Sequence, residues 1–166
     1  MTTPSQTVGP YLAIGLPWPD GTDVAPAGTP GRIRIYGRLL DGAGEVIPDG
    51  MIETWQADPD GRFGTDFRGF GRSPTDAEGA WEVFTVKPGP IGDGQAPHID
   101  VNVFARGMLN RCVTRIYFAD EDNAGDPVLD CVPKERRGTI IAESGEDGYR
   151  FDVHVQGESE TVFFRV

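Results

Sequence analysis

Apolar and polar side chains alternate along several stretches of this chain, and the alternation predicts β-strands. In residues 32–40, Ile and Leu side chains occupy odd positions and three arginines occupy even ones. In residues 99–105, aliphatic side chains at odd positions alternate with Asp100, Asn102 and Phe104. A period of two is typical of a strand with one face toward a core and the other toward solvent.

Other segments show the same strand character, and only one stretch resembles a helix. The further strand-like segments are 51–57, 81–86, 111–118, 149–155 and 161–166. Residues 133–143, PKERRGTIIAE, have a proline near the start and good helix formers after it. The polar, Gly- and Asp-rich connection that ends near Ala80 predicts a long functional loop. We therefore expect an all-β fold, an antiparallel β-sandwich with one short helix and long loops.

Length and composition predict one domain. The chain has 166 residues, and its 23 glycines and 14 prolines are spread along it rather than collected in a linker. We expect a single domain over residues 1–166, with residues 1–30 as an N-terminal arm. The cysteines, Cys112 and Cys131, are too few for a disulfide framework, so we expect reduced thiols.

The net charge of the chain argues against a nucleic-acid partner, and its apolar runs are too short for a membrane-spanning helix. A formal net charge of −11 leaves no basic stripe that would neutralise phosphates, so no nucleic-acid partner is expected. No apolar run approaches the ~20 residues of a membrane-spanning helix. The first residues, MTTPSQTVGPY, lack the charged-then-apolar order of a signal peptide. We expect a cytoplasmic protein that has no contact with a membrane.

Short segments spread along nearly the whole chain carry a more specific signal. They are TPSQTVGPYLAIG, DGAGEVIPDGMIETWQAD, GFGRSPTDAEGAWEVFTVKPGP, APHI, FARG, RIYFADE and YRFDVHVQGESETVFF. In this order they make the chain similar to the intradiol ring-cleavage dioxygenases. The resemblance implies a β-sandwich in which two tyrosines and two histidines bind a non-haem ferric iron, and this iron activates a catechol for attack by dioxygen.

Three of the four ligand positions that the resemblance implies lack their ligand. The tyrosine positions fall in GRF and PGPI and hold Phe63 and Ile91, whose side chains have no oxygen. The histidine pair falls at His98 and Asp100, so one imidazole is replaced by a carboxylate. Ferric iron prefers hard anionic oxygen donors, which tyrosinates supply. We therefore expect no catalytic residue and no metal on this chain, and ferric iron on a partner β subunit.

The resemblance also implies what an iron-free chain of this kind does. In the family, such chains assemble with iron-bearing β subunits as αβ hetero-oligomers. We expect this chain to complete the substrate pocket of its partner. The expected reaction is intradiol cleavage of a small aromatic acid, 3,4-dihydroxybenzoate, by O2 to give 3-carboxy-cis,cis-muconate.

Arg106 and four residues of the arm are the substrate-binding residues that the resemblance implies. A guanidinium offers a fixed fork of donors and keeps its charge, so Arg106 of FARG suits the carboxylate of the substrate. The alternative is an arginine at a strand end in a surface ion pair. Thr7, Gly9, Pro10 and Tyr11 match a QTxGPY segment that lines the shared pocket, with hydroxyls on Thr and Tyr. The alternative for these four is a loosely held terminus.

Two other functions stay open. The chain could be a non-catalytic β-sandwich binding module that has lost its metal site. It could instead be a metalloenzyme in which His98 and Asp100, on one face of a strand, bind a divalent metal with ligands from a symmetry mate. Arg106 shares that face but lies up to ~26 Å from His98 along an extended strand, too far to serve a site centred there.

Overall fold

The fold consists mostly of β-strands, which a computed structural model describes for residues 2–166. The strands are β1 Arg32–Leu40, β2 Gly50–Trp55, β3 Phe70–Pro74, β4 Ala80–Val86, β5 His98–Ala105, β6 Cys112–Phe118, β7 Ile141–Gly145, β8 Gly148–Arg150 and β9 Val153–His154. The helical segments are α1 Tyr11–Gly15 and the 3₁₀ helices Leu129–Cys131 and Lys134–Ile140. None of these helices has the length and apolar character needed to cross a membrane.

The strands form one curled, mixed sheet. Its order is β3-β2-β5-β6-β7-β8-β1-β4, and β9 pairs with β1. The ends of the sheet meet, because the amide of Glu82 on β4 donates to Ser73 Oγ on β3 at 3.1 Å. The pairs β6–β7, β1–β8 and β1–β9 are parallel. The prediction of a mostly β fold with a short helix is confirmed. The prediction of an antiparallel β-sandwich is not confirmed, because the parallel pairs join strands that are far apart in the sequence rather than neighbours in a tight hairpin.

Four predicted segments differ from the structure. The predicted strand 149–155 is divided into the two short strands β8 and β9. The segment 133–143, predicted as a helix, forms a 3₁₀ helix and then β7, because β-branched residues follow Gly138 and favour extended backbone. The predicted loop before Ala80 contains β3, a short and polar strand without alternation. The predicted strand 161–166 makes only an isolated bridge, between Phe164 and Val113.

The core lies on one face of β5, which runs between β2 and β6. Ile99, Val101 and Val103 are buried there and pack in one cluster with Ile35 and Leu39 of β1. The alternation predicted for residues 99–105 is therefore confirmed. Successive side chains of a strand point to opposite faces. Burial of the odd-numbered side chains therefore directs the even-numbered side chains of β5 away from this core cluster.

Arg72 on β3 anchors the chain that precedes β1. Its Nε donates to Glu53 Oε1 on β2 at 2.9 Å, and its Nη1 donates to the carbonyl of Leu16 at 2.7 Å. Its guanidinium also lies 4.3 Å from the centre of the Trp18 ring, a cation–π distance. The side chains of Arg72 and Glu53 are only 17% and 13% exposed, so this pair is largely withdrawn from water. One ion pair thus joins two strands and fixes where the N-terminal segment leaves the sheet.

We expect Arg72→Met to destabilise the chain by ~3 kcal/mol, because it leaves the Glu53 carboxylate desolvated and unpaired. Arg34→Met is the matched control, since Arg34 pairs with Glu82 at 2.8 Å on the surface and its loss should cost ~1 kcal/mol or less. Denaturant unfolding of both variants measures the difference. An equal loss of unfolding free energy in Arg72→Met and Arg34→Met would contradict the anchoring role of Arg72.

Candidate functional site

Arg106 follows the end of β5 and presents its side chain to solvent. Its Nε lies 2.8 Å from Asp49 Oδ2, and the arginine side chain is 73% exposed. Exposed ion pairs of this kind stabilise by only ~0–1 kcal/mol. Asp49 therefore orients the guanidinium only weakly and through Nε, not through the two terminal nitrogens.

The four predicted residues of the arm surround the start of α1. Gly9 has φ +63°, a conformation that favours glycine, and its amide donates to Thr7 Oγ1 at 3.2 Å. Pro10 lies at the N-cap of α1, and Tyr11 is exposed at the first helical position. Leu12 is buried and holds this short helix against the protein. The hydroxyl-bearing side chains of the arm are thus turned outward.

A cleft of about 560 Å³ connects the arm with the turn that carries Arg106. Its lining residues are Gln6, Val8, Phe104, Met108, Leu109, Asn110, Arg111, Val113, Phe164, Arg165 and Val166. Gln6 and Val8 come from the arm, and Met108 and Leu109 come from the turn after β5. The structure therefore brings the arm beside this turn, although within residues 2–166 Arg106 forms no hydrogen bond with Thr7 or Tyr11.

The positions that correspond to metal ligands lie toward the other end of β5. Phe63 is exposed and stacks on Trp55, with ring centres 5.9 Å apart. Ile91 makes an isolated bridge to Gln95. His98 is buried, and Nδ1 lies 2.7 Å from the Ala96 carbonyl oxygen. Because that oxygen can only accept, Nδ1 carries the proton and Nε2 bears the lone pair.

Arg115 of β6 occupies the space beside Asp100. Its Nε donates to Asp100 Oδ1 at 2.9 Å and its Nη1 donates to Gln95 Oε1 at 2.8 Å. Burial lowers the pKa of His98 below its ordinary value, and the positive charge of Arg115 acts in the same direction. The imidazole is therefore neutral at physiological pH.

Ferric iron does not fit this set of residues. Phe63 and Ile91 offer no oxygen, and the guanidinium of Arg115 already provides the positive charge next to Asp100. Within residues 2–166 no group of three or more His, Cys, Asp or Glu side chains is placed to hold a metal ion. No step of a reaction is therefore assigned to a metal on this chain.

Asp126 is a buried carboxylate that holds the segment in front of His98. One oxygen accepts from the amide of Ala96 at 2.8 Å, and the other accepts from Tyr117 Oη at 3.0 Å and from the amide of Leu129 at 2.8 Å. Burial raises the pKa of Asp126, but the hydrogen bonds to its charged form outweigh burial and lower the pKa below 3.8.

Comparisons with known proteins agree with this geometry. A family model described as Dioxygenase matches residues 19–157. The protocatechuate 3,4-dioxygenase alpha chain of Burkholderia cepacia is 45% identical, over 99% of this chain and 97% of its own length. The chain belongs to the protocatechuate 3,4-dioxygenase alpha-chain family. This confirms the resemblance drawn from the sequence.

Two further relatives place the alpha-chain family among dioxygenases. The protocatechuate 3,4-dioxygenase beta chain of Burkholderia cepacia is 32% identical, over 78% of this chain and 66% of its own length. A solved dioxygenase domain, from a dioxygenase–carbohydrate-binding protein fusion of Streptomyces sp. SirexAA-E, has a TM-score of 0.63 at 26% identity. It covers 95% of this chain and 99% of the solved chain. The alignment with the alpha chain runs over 191 positions, more than this chain has, so that relative contains insertions.

Sequence reasoning did not find Arg115 or Asp126. The pairing of Arg115 with Asp100 depends on the register of β5 against β6, which no local pattern fixes. Asp126 contacts Ala96 across a long sequence separation, and its sequence context is that of an ordinary turn.

We expect Asp126→Asn to lower the free energy of unfolding by ~1–3 kcal/mol at pH 7, because an amide cannot accept all of these bonds. The pKa of Asp126 is lowered in the folded state, so its stabilisation is complete above about pH 4 and fades as pH falls through the folded value. Denaturant unfolding of both proteins between pH 7 and pH 3 should show the difference shrinking at the acid end.

Asp130→Asn is the matched control for this prediction. Asp130 is an exposed carboxylate near Asp126 that pairs with Arg137 at 3.1 Å. Its replacement should change stability by ~1 kcal/mol or less. If the difference in unfolding free energy between wild type and Asp126→Asn stays constant down to pH 3, the lowered pKa of Asp126 does not account for its stabilising role.

Proposed function

We propose that this chain is the iron-free subunit of an αβ protocatechuate 3,4-dioxygenase and completes the substrate pocket of an iron-bearing β subunit. The observation that supports this most strongly is the 45% identity to an alpha chain over 99% of this chain. A separate beta chain is a more distant relative, at 32% identity. The proposed reaction is intradiol cleavage of 3,4-dihydroxybenzoate with both atoms of O2 to give 3-carboxy-cis,cis-muconate.

The division of roles follows from the residues at the former ligand positions. Phe63 and Ile91 have no donor atoms, and Asp100 is neutralised by Arg115. Activation of the ring is therefore assigned to ferric iron on the β subunit. This chain has a binding role, so its contribution is to orient the aromatic acid.

Arg106 binds the carboxylate of the substrate in this proposal. Its exposed guanidinium has Nε turned to Asp49, and the terminal nitrogens can form two parallel hydrogen bonds with a planar carboxylate. The competing pair with Asp49 is weak because water screens it. When a partner surface excludes water from Arg106, its attraction for an anion increases.

The arm forms the wall of the same pocket. In this proposal, residues 1–166 form a single domain and residues 1–30 form its N-terminal arm. Arg72 fixes the arm to the sheet through the carbonyl of Leu16. Thr7 and Tyr11 supply hydroxyls that face outward, and Gly9 and Pro10 set the bend that precedes α1. A cleft lined by Gln6 and Val8 of the arm and by Met108 and Leu109 of the turn after β5 supports this proposal, because these residues neighbour Thr7 and Arg106 in the sequence.

We expect Arg106→Ala, tested in the assembled αβ complex, to lower kcat/KM for protocatechuate ~10–100-fold, because a charge-assisted bond is lost. Catechol has no carboxylate, so its kcat/KM should change by less than ~3-fold. Steady-state kinetics with both substrates measures this contrast.

Arg38→Ala is the matched control, since Arg38 is an exposed arginine on β1. Its complex should keep wild-type kinetics with both substrates. Gel filtration of each variant with the β subunit separates weaker assembly from weaker binding. An equal loss for protocatechuate and catechol would assign Arg106 to structure or assembly instead.

A further inference from the structure

Two residue pairs on neighbouring strands form a compact patch beside the core. In the antiparallel register of β5 and β6, His98 lies opposite Tyr117 and Asp100 lies opposite Arg115. Directly opposed residues point to the same face, so these four side chains are neighbours. Gln95, from the segment before β5, adds its amide oxygen. A carboxylate, a phenol and an amide oxygen thus contact one arginine, and the imidazole of His98 lies on the same face of the sheet.

The guanidinium of Arg115 is held by oxygen atoms from three residues. Nε donates to Asp100 Oδ1 at 2.9 Å, while Nη1 lies 2.8 Å from Gln95 Oε1 and 3.4 Å from Tyr117 Oη. The side chain of Arg115 is 17% exposed, so most of its hydration has been replaced by these contacts. An arginine in this position is a fixed cation in the middle of a set of electron-pair donors.

His98 has the orientation that metal-binding histidines have. Such a histidine directs one ring N–H to a backbone carbonyl, and this contact fixes the other nitrogen as a lone-pair donor. Here Nδ1 is bound to the Ala96 carbonyl, and Nε2 lies 3.9 Å from Asp100 Oδ1. These two electron-rich atoms repel each other weakly at this distance, and the positive charge of Arg115, which donates to the same carboxylate, offsets the repulsion.

We propose that Arg115 takes the place of a metal ion, so that its guanidinium neutralises and orients the ligand set of His98, Asp100 and Gln95 and closes it to divalent cations. The set is not simply incomplete, because His98 Nε2 lies 3.9 Å from Asp100 Oδ1 and Arg115 joins this carboxylate to Gln95 Oε1. A divalent cation would have to displace Arg115 from both Asp100 and Gln95 and would lie close to its positive charge.

This inference concerns one chain and does not depend on the proposed αβ function. The presence of Phe63 and Ile91, which have no donor atoms, would explain why ferric iron is not held. The hydrogen bonds from Arg115 explain in addition why the oxygens of Asp100 and Gln95 are occupied. Without Arg115, one imidazole nitrogen and oxygen donors would remain, a combination that suits Zn²⁺.

The test is a calorimetric titration of the purified full chain with Zn²⁺. Arg115→Met keeps the bulk of the side chain and removes its charge, and this variant should bind one equivalent of Zn²⁺ at least ~10-fold more tightly than wild type. The double variant Arg115→Met/Asp100→Asn should lose this gain. Arg111→Met is the matched control, because Arg111 donates to Asn102 across the same two strands and should bind Zn²⁺ like wild type.

Thermal unfolding keeps the test decisive if Arg115→Met is unstable. Zn²⁺ should then raise the Tm of Arg115→Met and leave the Tm of the double variant unchanged. The proposal is overturned if Arg115→Met binds Zn²⁺ no more tightly than wild type and gains no Tm. It is also overturned if wild type binds Zn²⁺ as tightly as Arg115→Met does, or if the double variant Arg115→Met/Asp100→Asn keeps the tighter Zn²⁺ binding.

Discussion

Side-chain alternation along β5 is the constraint on which both functional regions depend. Ile99, Val101 and Val103 are buried in the main core cluster, and they fix the register of β5 against β2 and β6. Because a slip of one residue would turn every side chain to the other face, that packing alone directs His98 and Asp100 away from the core. It also determines where the strand ends and Arg106 begins its turn.

The two ends of β5 have taken different roles in this chain. At one end, Arg115 donates to Asp100, and within residues 2–166 no group of three or more His, Cys, Asp or Glu side chains is placed to hold a metal ion. At the other end, Arg106 is exposed and held only by a surface contact with Asp49. A side chain that must bind a ligand from outside has to be free of strong internal partners, and Arg106 meets this condition while Arg115 does not.

Sequence patterns predicted those parts of the fold in which local alternation is strong. The strands around residues 32–40 and 99–105 were found, because each has one apolar face. Strand β3 was missed because its residues do not alternate. It is a strand because it pairs with β2. The helix expected over 133–143 gave way to a 3₁₀ helix and β7, since β-branched residues and tertiary contacts outweigh helix propensity there.

The candidate site was predicted unevenly for a similar reason. Arg106 and the residues of the arm came from the resemblance, and the structure adds the exposure of Arg106 and a cleft lined by Gln6 and Val8 of the arm and by the turn after β5. The contacts of Arg115 and Asp126 join segments that are distant in sequence, so a single sequence contains no local signal for them. Residues that bind an external ligand can carry a motif, whereas those that hold a loop in place are visible only once the strands are paired.

The most direct test of this account is the iron content and the visible spectrum of the isolated chain, measured beside those of its complex with a β subunit. The account predicts no stoichiometric iron and no tyrosinate-to-iron charge-transfer band in the isolated chain, with both present in the complex. Stoichiometric iron in the isolated chain would contradict it and would make His98 and Asp100 true ligands.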